Sequence, residues 1–213
     1  MVLNQAVARL GQAMRETEDQ LTRDMLQATS AFINCVGGVN GDNPTEIARS
    51  DVDAVVQTLE NNNAMRITHV IEGANKFGTG PVREAYFAMG STSLIGQLEQ
   101  VQGFISAANY PYQANILSAE WGSIGNLRFL LSSLGSVSPN ASLLGANVFN
   151  VFVTGMEAYG VIELDGASAE FIYRPLGYGD DPLLLRQSAG YKFAQAQRIL
   201  NDQWVINMRC TAA

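Results

Sequence analysis

The sequence predicts an α+β fold in which helices come first and strands mostly follow. A long amphipathic segment opens the chain over residues 3–32, and two shorter helical patterns come after it. The final third is rich in apolar and β-branched runs separated by glycine and proline turns, which is typical of strands. Because helices and strands are segregated along the chain, the α+β class is favoured.

The first helix has the clearest pattern in the sequence. No proline interrupts residues 3–32, and charged side chains occupy the faces away from the apolar stripe. At about 1.5 Å per residue this helix would be roughly 45 Å long, so its apolar face must lie along another surface. The stripe advances in steps of three and four residues, the spacing of one helix face, through Leu3, Val7, Leu10, Met14, Thr17, Leu21, Met25, Ala28 and Phe32.

Two further helices are predicted from their N-terminal capping residues. The first helix is expected to end near Cys35–Val36, with a turn-rich connector over residues 37–44. Ser50 and Asp53 then have the spacing of an N-cap and an acidic N3 residue, so a helix is expected to begin there and to close at Asn61–Asn63. Residues 91–101 are expected to form another helix, capped by their initial serine.

The strands are predicted from apolar runs bounded by turn residues. Glu84–Met89 has no helical stripe, so a buried strand is favoured there. Residues 158–174 are predicted to form a hairpin, because Asp165–Gly166 is a tight-turn signal between two alternating runs. The other predicted strands are Ile67–Ile71, Asn126–Leu131, Asn147–Val153, Ser188–Ala196 and Trp204–Cys210, and irregular segments or loops are expected at 103–123, 135–145 and 175–182.

Composition and charge argue against several function classes. The net charge is −7, Lys76 and Lys192 are the only lysines, and no basic run exists, so a nucleic-acid-binding surface is disfavoured. Charged residues make up only 15% of the chain, which indicates either a surface that faces other protein or a compact neutral enzyme. No signal peptide or membrane span is predicted, because the N-terminal segment is amphipathic and charged.

The two cysteines, Cys35 and Cys210, lie near opposite ends of the sequence. Two isolated cysteines do not make a metal site, and their spacing neither supports nor excludes a disulfide. A reduced, intracellular setting fits this cysteine usage best.

Catalytic motifs do not occur in complete form. His69 is the only histidine, and a small hydrolase would have to pair it with Asp51 or Asp53. The Gly122–Gly125 segment lacks the glycine two residues before its serine that a nucleophile elbow requires. Gly78–Gly80 lacks the third glycine of a dinucleotide-binding loop. The sequence therefore predicts no catalytic, cofactor-binding or metal-ligating residue, and no cofactor.

Two carboxylate pairs and one asparagine triplet have plain structural explanations. Asp51 and Asp53 suit the first turn of a helix, where acids favour the macrodipole. Asp180 and Asp181 lie in a glycine-rich loop, where aspartates stabilise turns, although either pair could hold a divalent cation in principle. Asn140–Ser142 matches a glycosylation acceptor, but such triplets are common by chance.

Aromatic and arginine side chains are candidates for contacts with other protein, because both types are enriched at interfaces. Trp121, Trp204 and Arg128 belong to this group, but the two tryptophans are expected to fill the core. The loop segment Tyr110–Tyr112 is the favoured contact element.

Several sequence blocks occur in the order found in one protein family. Each block is weak by itself, but together they cover nearly the whole chain. In these blocks the chain resembles the major capsid proteins of phages of the N-four type. The blocks are Ser30–Gly38, Ser50–Asp53, Gly78–Phe87, Glu120–Gly122 with Asn126–Phe129, Gly155–Gly160 and Asn201–Val205.

The resemblance implies the Hong Kong 97-type capsid fold. In that fold a long spine helix crosses a peripheral domain, and an axial domain of mixed sheet and helices reaches toward the capsomer centre. Residues 1–44 would hold the spine helix and part of the peripheral domain, 45–189 mainly the axial domain, and 190–213 the strands that return to the peripheral sheet.

The resemblance also sets an expectation for the first helix. Family members normally have an N-terminal arm and an extended hairpin loop before the spine helix, whereas this sequence begins at the helix. A truncated or partial subunit is therefore expected, with its first turns, from Leu3 to about Met14, frayed for lack of their usual cover. Family cross-linking, where it occurs, uses a lysine of that loop, so Lys76 and Lys192 are assigned no such role.

The function implied by the resemblance is structural rather than enzymatic. It is that of a tailed-phage or prophage virion subunit, which self-assembles through pentamers and hexamers into an icosahedral shell in the host cytoplasm. The expected partners are other copies of the chain, neighbouring virion proteins and enclosed double-stranded DNA held without specific binding, with no membrane. An encapsulin-like bacterial compartment shell is the alternative, and a small hydrolase is a more remote one.

Overall fold

The computed structural model describes residues 2–36, 43–72, 78–110, 116–117, 119–142, 145–163, 169–177, 183, 185 and 187–212. The helices are α1 (Val2–Gln27), α2 (Arg49–Asn61) and α3 (Ile95–Leu98), with single 3₁₀ turns at Thr92–Leu94, Ala107–Asn109 and Asp202–Trp204. The strands are β1 (Phe32–Asn34), β2 (Ile67–Glu72), β3 (Gly78–Ser91), β4 (Phe104–Ser106), β5 (Glu120–Ile124), β6 (Leu127–Ser132), β7 (Val137–Ser138), β8 (Val148–Thr154), β9 (Tyr159–Glu163), β10 (Glu170–Arg174), β11 (Ser188–Lys192), β12 (Gln195–Ile199) and β13 (Val205–Thr211).

The chain divides into two compact units. Unit 1 comprises residues 1–22 and 160–198, and unit 2 comprises residues 23–159 and 199–213. The peripheral and axial domains expected from the resemblance have other boundaries, and that assignment remains a prediction.

Unit 2 is built on a nine-stranded mixed sheet. Its main path runs in the order β1-β13-β8-β3-β6-β5-β4, with β2 paired to β3 and β7 paired to β8. The β1–β13 and β3–β6 pairs are parallel, and the others are antiparallel. The strands predicted at Ile67–Ile71, Glu84–Met89, Asn126–Leu131, Asn147–Val153 and Trp204–Cys210 are confirmed in β2, β3, β6, β8 and β13.

The main hydrophobic core of unit 2 includes one side of α2. Val52, Val55 and Leu59 are spaced by three and four residues, so they project from the same side of the helix, and all three are buried. They belong to the same cluster as Met208 and Cys210, which are alternate residues of β13. Full burial of one such side chain contributes about 1.5–3 kcal/mol, so this cluster is a main source of stability for unit 2.

The N-cap of α2 lies two residues before the predicted one. The sequence suggested Ser50 as the N-cap and Asp53 as its partner, but Ala48 is the N-cap and Asp51 is the N3 residue. The buried Asp51 carboxylate accepts hydrogen bonds from the N–H of Ala48 at 2.9 Å and from the N–H of Val36 at 3.2 Å. Because it satisfies two main-chain donors, Asp51 ties the start of α2 to the segment that follows β1.

α1 ends at Gln27, so the prediction that this helix continues through Phe32 and ends near Cys35–Val36 is wrong for its last two turns. Two interactions replace the helical hydrogen bonds there. The Thr29 hydroxyl donates to Asp202 Oδ1 at 2.7 Å, and Phe32 opens β1, which pairs in parallel with β13. The spacing of apolar residues in the sequence continues through Ala28, and this local pattern cannot show that the next residues pair with a distant strand.

The helix expected over residues 91–101 is present in a shortened form. The Ser91 hydroxyl accepts a hydrogen bond from the Ser93 N–H at 3.3 Å, as its predicted capping role requires. A 3₁₀ turn follows, and α3 then ends at Leu98. Residues 103–123, expected to be irregular, contain β4 and most of β5, because ladder pairing with β6 organises this segment.

Unit 1 consists of the first part of α1 and two two-stranded ribbons, β9–β12 and β10–β11. Residues 158–174 are therefore not a hairpin, since β9 and β10 have different partners. The predicted strand Ser188–Ala196 contains β11 and the start of β12. Pairing between distant segments outweighs the local alternation on which both predictions depended. The turn signal Asp165–Gly166 lies outside the described residues.

Candidate functional site

Unit 1 contains no buried residue among those that the structure describes. It instead exposes a series of large apolar side chains, here called the unit 1 apolar surface. Its members are Val7, Leu21, Val161, Ile162, Phe171, Ile172, Tyr173, Leu176, Leu183 and Leu185. Single exposed apolar residues are ordinary, but a concentration of them in one unit makes that unit the candidate interaction region.

The apolar stripe of α1 contributes to this surface. Val7 and Leu21 are exposed, and no described residue between them is buried. Between these positions, the hydroxyl groups of Thr17 and Tyr191 lie 3.2 Å apart and form a hydrogen bond. The stripe predicted from the sequence is therefore present on the helix, but much of it is uncovered within unit 1.

The β10–β11 ribbon forms the second part of the surface. Every residue of β10 is exposed. Phe171 stands opposite Tyr191 on one face, and the Tyr191 and Phe193 rings stack with centroids 6.0 Å apart. Ile172 stands opposite Gly190 on the other face, where glycine offers it no side chain to pack against. A two-stranded ribbon is marginally stable in water, so this one needs cover on at least one face.

A polar pocket of about 330 Å³ lies in unit 2. Asn207 Nδ2 donates to Asn150 Oδ1 at 3.1 Å, and Asn150 Nδ2 donates to the Ser136 hydroxyl at 3.0 Å. Among the described residues, the buried Asn207 Oδ1 has no hydrogen-bond partner. Asparagine side chains both donate and accept hydrogen bonds, so the pocket suits a ligand with polar groups. Its lining includes Gln27, Asn34, Ser138, Asn150, Asn207 and Arg209.

A buried ion pair joins neighbouring strands of unit 2. Arg128 Nε on β6 donates to Glu120 Oε1 on β5 at 2.7 Å, and a second Arg128 nitrogen donates to Glu120 Oε2. The Tyr110 hydroxyl also donates to Glu120 Oε1, at 2.8 Å. Burial acts to raise the pKa of Glu120, but hydrogen bonds from Arg128, the Leu117 N–H and Tyr110 outweigh it and hold that pKa below its usual value.

Two residues weighed as contact candidates are therefore structural. Arg128 is buried in the Glu120 ion pair, and Tyr110 donates to the same carboxylate. Trp204 is half-buried and donates from Nε1 to the Asn62 carbonyl at 3.1 Å, in keeping with its expected core role. Trp121 is exposed, so the expectation that it fills the core is wrong. Pro111 and Tyr112 lie outside the described residues.

The residues of the hydrolase hypothesis have other partners. Asp51 caps α2, and Asp53 forms an exposed ion pair with Arg49 at 2.9 Å. His69 lies in β2, where its backbone is opposite Pro81. These acids are therefore held by their own helix and give the hydrolase hypothesis no support.

The glycine and asparagine motifs are also structural. Gly122–Gly125 overlaps β5, and its serine, Ser123, is buried, which is unlike the exposed nucleophile of an elbow. A Cβ at Gly122 would lie 2.6 Å from the Ile105 carbonyl oxygen, so glycine permits the close approach of β4. Asn140, the first residue of the glycosylation triplet, has a positive φ of 51° and occupies a turn.

Metal and membrane sites are not indicated by the described part of the chain. No group of three or more histidine, cysteine, aspartate or glutamate side chains there could hold a metal ion. Asp180 and Asp181 lie outside that part. No described helix combines the length and apolar character that a bilayer crossing requires.

No family model matches this chain, and no curated protein matches its sequence. Solved phage structures, however, resemble its fold. A chain from the head of Helicobacter pylori bacteriophage KHP40 has a TM-score of 0.59 and 13% identity, covering 99% of this chain and 68% of the phage chain. The acidic stable capsid of Helicobacter pylori bacteriophage KHP30 gives a TM-score of 0.61 and 11% identity, and the match covers 100% of this chain and 70% of the phage chain. The capsid of Ralstonia phage GP4 gives a TM-score of 0.55 and 14% identity, and the match covers 84% of this chain and 52% of the phage chain.

The chain has a phage capsid-like fold. At these low identities the likeness concerns the fold alone, and the chain spans only about half of the Ralstonia phage GP4 chain. The prediction of a mixed α and β chain with a phage capsid-like fold is confirmed at this level.

Sequence reasoning missed Glu120 and the asparagine network of this capsid-like fold. A signal for the network was present, because Asn150 and Asn207 interrupt the apolar runs of β8 and β13. A polar residue inside a buried strand needs a hydrogen-bond partner, so two such strands suggest a pair. Arg128 gave a similar signal, because it interrupts the apolar run of the predicted strand Asn126–Leu131, whereas Glu120 gave none, because its segment was predicted to be irregular.

Proposed function

We propose that this chain is a major capsid protein, or part of one, from a tailed phage or prophage, and that it self-assembles into an icosahedral shell. The observation that carries the proposal is the unit 1 apolar surface on a chain with a capsid-like fold. A lone subunit exposes this surface to water, whereas neighbouring subunits would cover it. Each Å² of apolar surface removed from water is worth about 25 cal/mol, so self-association is the expected response.

The proposed shell is of the Hong Kong 97 type, with α1 as its spine helix. The length of α1 and the sequence blocks that resemble N-four-type capsid proteins support this assignment. In the same proposal, residues 1–44 and 190–213 belong to a peripheral domain, residues 45–189 belong mainly to an axial domain, and subunits associate as pentamers and hexamers.

The proposed relation to double-stranded DNA is enclosure without specific binding. A net charge of −7 and only two lysines support it, because affinity for DNA depends on cationic contacts to phosphates. The proposed setting is the virion, assembled in the host cytoplasm beside neighbouring virion proteins.

Sedimentation velocity and electron microscopy of the complete gene product test the proposal. The expected result is closed shells or large capsomer assemblies. A complete product that stays monomeric at high concentration, under conditions that assemble related shells, would contradict it.

A matched pair of variants tests whether the unit 1 apolar surface drives assembly. Ile162 in unit 1 is 71% exposed, and Leu200 in unit 2 is 65% exposed, so glutamate at either site leaves folding nearly unchanged. Ile162→Glu is expected to raise the concentration needed for assembly at least tenfold, because a charge in an interface core must be desolvated. Leu200→Glu is the control, and equal assembly by the two variants would rule out this surface.

A further inference from the structure

Cys35 and Cys210 lie side by side in unit 2, although they are near opposite ends of the sequence. β1 and β13 pair in parallel, and the last matched pair of the ladder is Asn34 with Arg209. The Cys35 N–H then donates to the Arg209 carbonyl at 2.8 Å, so the ladder continues one residue further. The next step of the same register sets Cys35 opposite Cys210.

The geometry of this pair suits a disulfide. Directly paired residues of neighbouring strands project to the same face, and strands lie about 4.8 Å apart. Disulfides join Cα atoms that are about 4.4–6.8 Å apart. Both cysteines are 0% exposed and belong to the same hydrophobic cluster. The neighbouring Cys210 thiol, followed by burial, raises the pKa of Cys35.

We propose that Cys35 and Cys210 form a latent disulfide, present as two free thiols in a reducing compartment and joined on exposure to an oxidising thiol–disulfide buffer. Both cysteines are free in the structure. The bond would lock β1 onto β13 and so fix the segment that connects α1 to the sheet. This inference does not depend on the proposed function.

The oxidant in this proposal is a low-molecular-weight disulfide such as oxidised glutathione. One cysteine thiolate attacks a sulfur of that disulfide, which forms a mixed disulfide and releases the first glutathione as a thiol. The second cysteine attacks the protein sulfur of the mixed disulfide and releases the second glutathione. Two protein thiols are thereby oxidised to one disulfide, one external disulfide is reduced to two thiols, and the two protein protons end on the departing thiols.

Access to the pair controls the rate of this exchange. The thiolate is the nucleophile, and burial keeps Cys35 protonated and away from solvent. β1 contains only three residues and lies at the edge of the sheet, with exposed Phe32 at its start. Local separation of β1 from β13 is therefore the expected opening step, and it costs less than global unfolding.

Oxidation of the folded wild-type chain by glutathione redox buffers tests the proposal. Intact mass spectrometry should show the loss of two hydrogens, and a peptide map should show residues 35 and 210 linked within one chain. The midpoint of thermal unfolding should rise by roughly 5–10 °C and return to its original value with dithiothreitol, because the bond closes a long loop of the unfolded chain.

Single-cysteine variants provide the controls. Cys35→Ala and Cys210→Ala should each take up at most one glutathione and show no linked peptide. The proposal is overturned if the folded wild type keeps both thiols after prolonged oxidation, if the cross-links join different chains, or if the intramolecular bond lowers the unfolding midpoint.

Discussion

Unit 2 and unit 1 are stabilised in different ways. Every residue that is buried in the described part of the chain lies in unit 2, where α2 packs in the same hydrophobic cluster as strands of the nine-stranded sheet. Unit 1 has a helix segment and two ribbons, and none of its described residues is buried. A helix derives most of its stability from packing, and a two-stranded ribbon is marginal alone. Unit 2 can therefore fold by burying its own side chains, whereas unit 1 depends on surfaces outside itself.

The largest expected effect is on the free energy of unfolding, when the same Phe→Ala substitution is made in each unit. Phe129 is fully buried in unit 2, whereas Phe171 is 48% exposed in unit 1. Phe129→Ala is expected to lower the free energy of unfolding by about 3–5 kcal/mol, because it leaves a cavity. Phe171→Ala is the control and should cost less than about 1 kcal/mol. Urea unfolding followed by far-UV circular dichroism, which reports the helices and strands of both units, measures this difference, and equal losses would break the comparison.

The next effect concerns charge inside unit 2. Glu120→Gln leaves the buried Arg128 guanidinium without its counter-ion and is expected to cost roughly 3 kcal/mol. Asp53→Asn breaks the exposed pair with Arg49 and should cost about 0.5 kcal/mol. The same urea titration compares them. If Glu120→Gln is as stable as Asp53→Asn, the buried ion pair contributes no more to the free energy of unfolding than the exposed one.

The same ion pair predicts a pH dependence. The pKa of Glu120 is lowered in the folded chain, so its contribution to stability is full above the ordinary carboxyl pKa of 4.5 and is lost as pH falls through the folded value. Between pH 5 and pH 3 the wild type should therefore lose stability more steeply than Glu120→Gln. Parallel losses in the two proteins would contradict the assignment.

The smallest expected effect sharpens the account of unit 1. A Cβ added at Gly11 of α1 would meet no atom within 4 Å. Gly11→Ala is therefore expected to stabilise the helix by about 0.5–1 kcal/mol, because alanine loses less backbone entropy. Amide exchange over residues 5–22 should slow a few-fold, while fluorescence-detected unfolding of unit 2 should not change. In the free wild-type chain these amides are expected to exchange faster than those of β8, and the opposite order would show that α1 is well covered.

Local features of the fold were predictable from the sequence, whereas strand pairing was not. The α1 stripe, the Ser91 cap and the positions of β6, β8 and β13 follow from periodicity, capping and apolar runs. The partners of β9 and β10 do not, because a strand's alternation shows which face is apolar but not which strand lies beside it. The end of α1 was misplaced for the same reason, since Phe32 pairs with a strand in the last tenth of the sequence.

The candidate site was predictable only in outline. The sequence shows the apolar stripe of α1, and a stripe of that length predicts that the helix packs against another surface. The sequence does not show whether that surface belongs to the same chain. Leu59 in the core and Leu21 on the surface are the same residue type, so the residue type alone cannot tell a buried position from an exposed one. Three-dimensional packing decides between these outcomes.

The position of β13 has a consequence for biosynthesis. β13 lies between β1 and β8, so the sheet stays split into two parts until residues 205–211 have left the ribosome. β1, made more than 160 residues earlier, must wait for β13, its partner among the described strands of this sheet. Such non-local closure slows folding. Unit 2 therefore cannot close its sheet until β13 has emerged, and until then the edge of β8 that β13 will cover stays without that partner strand.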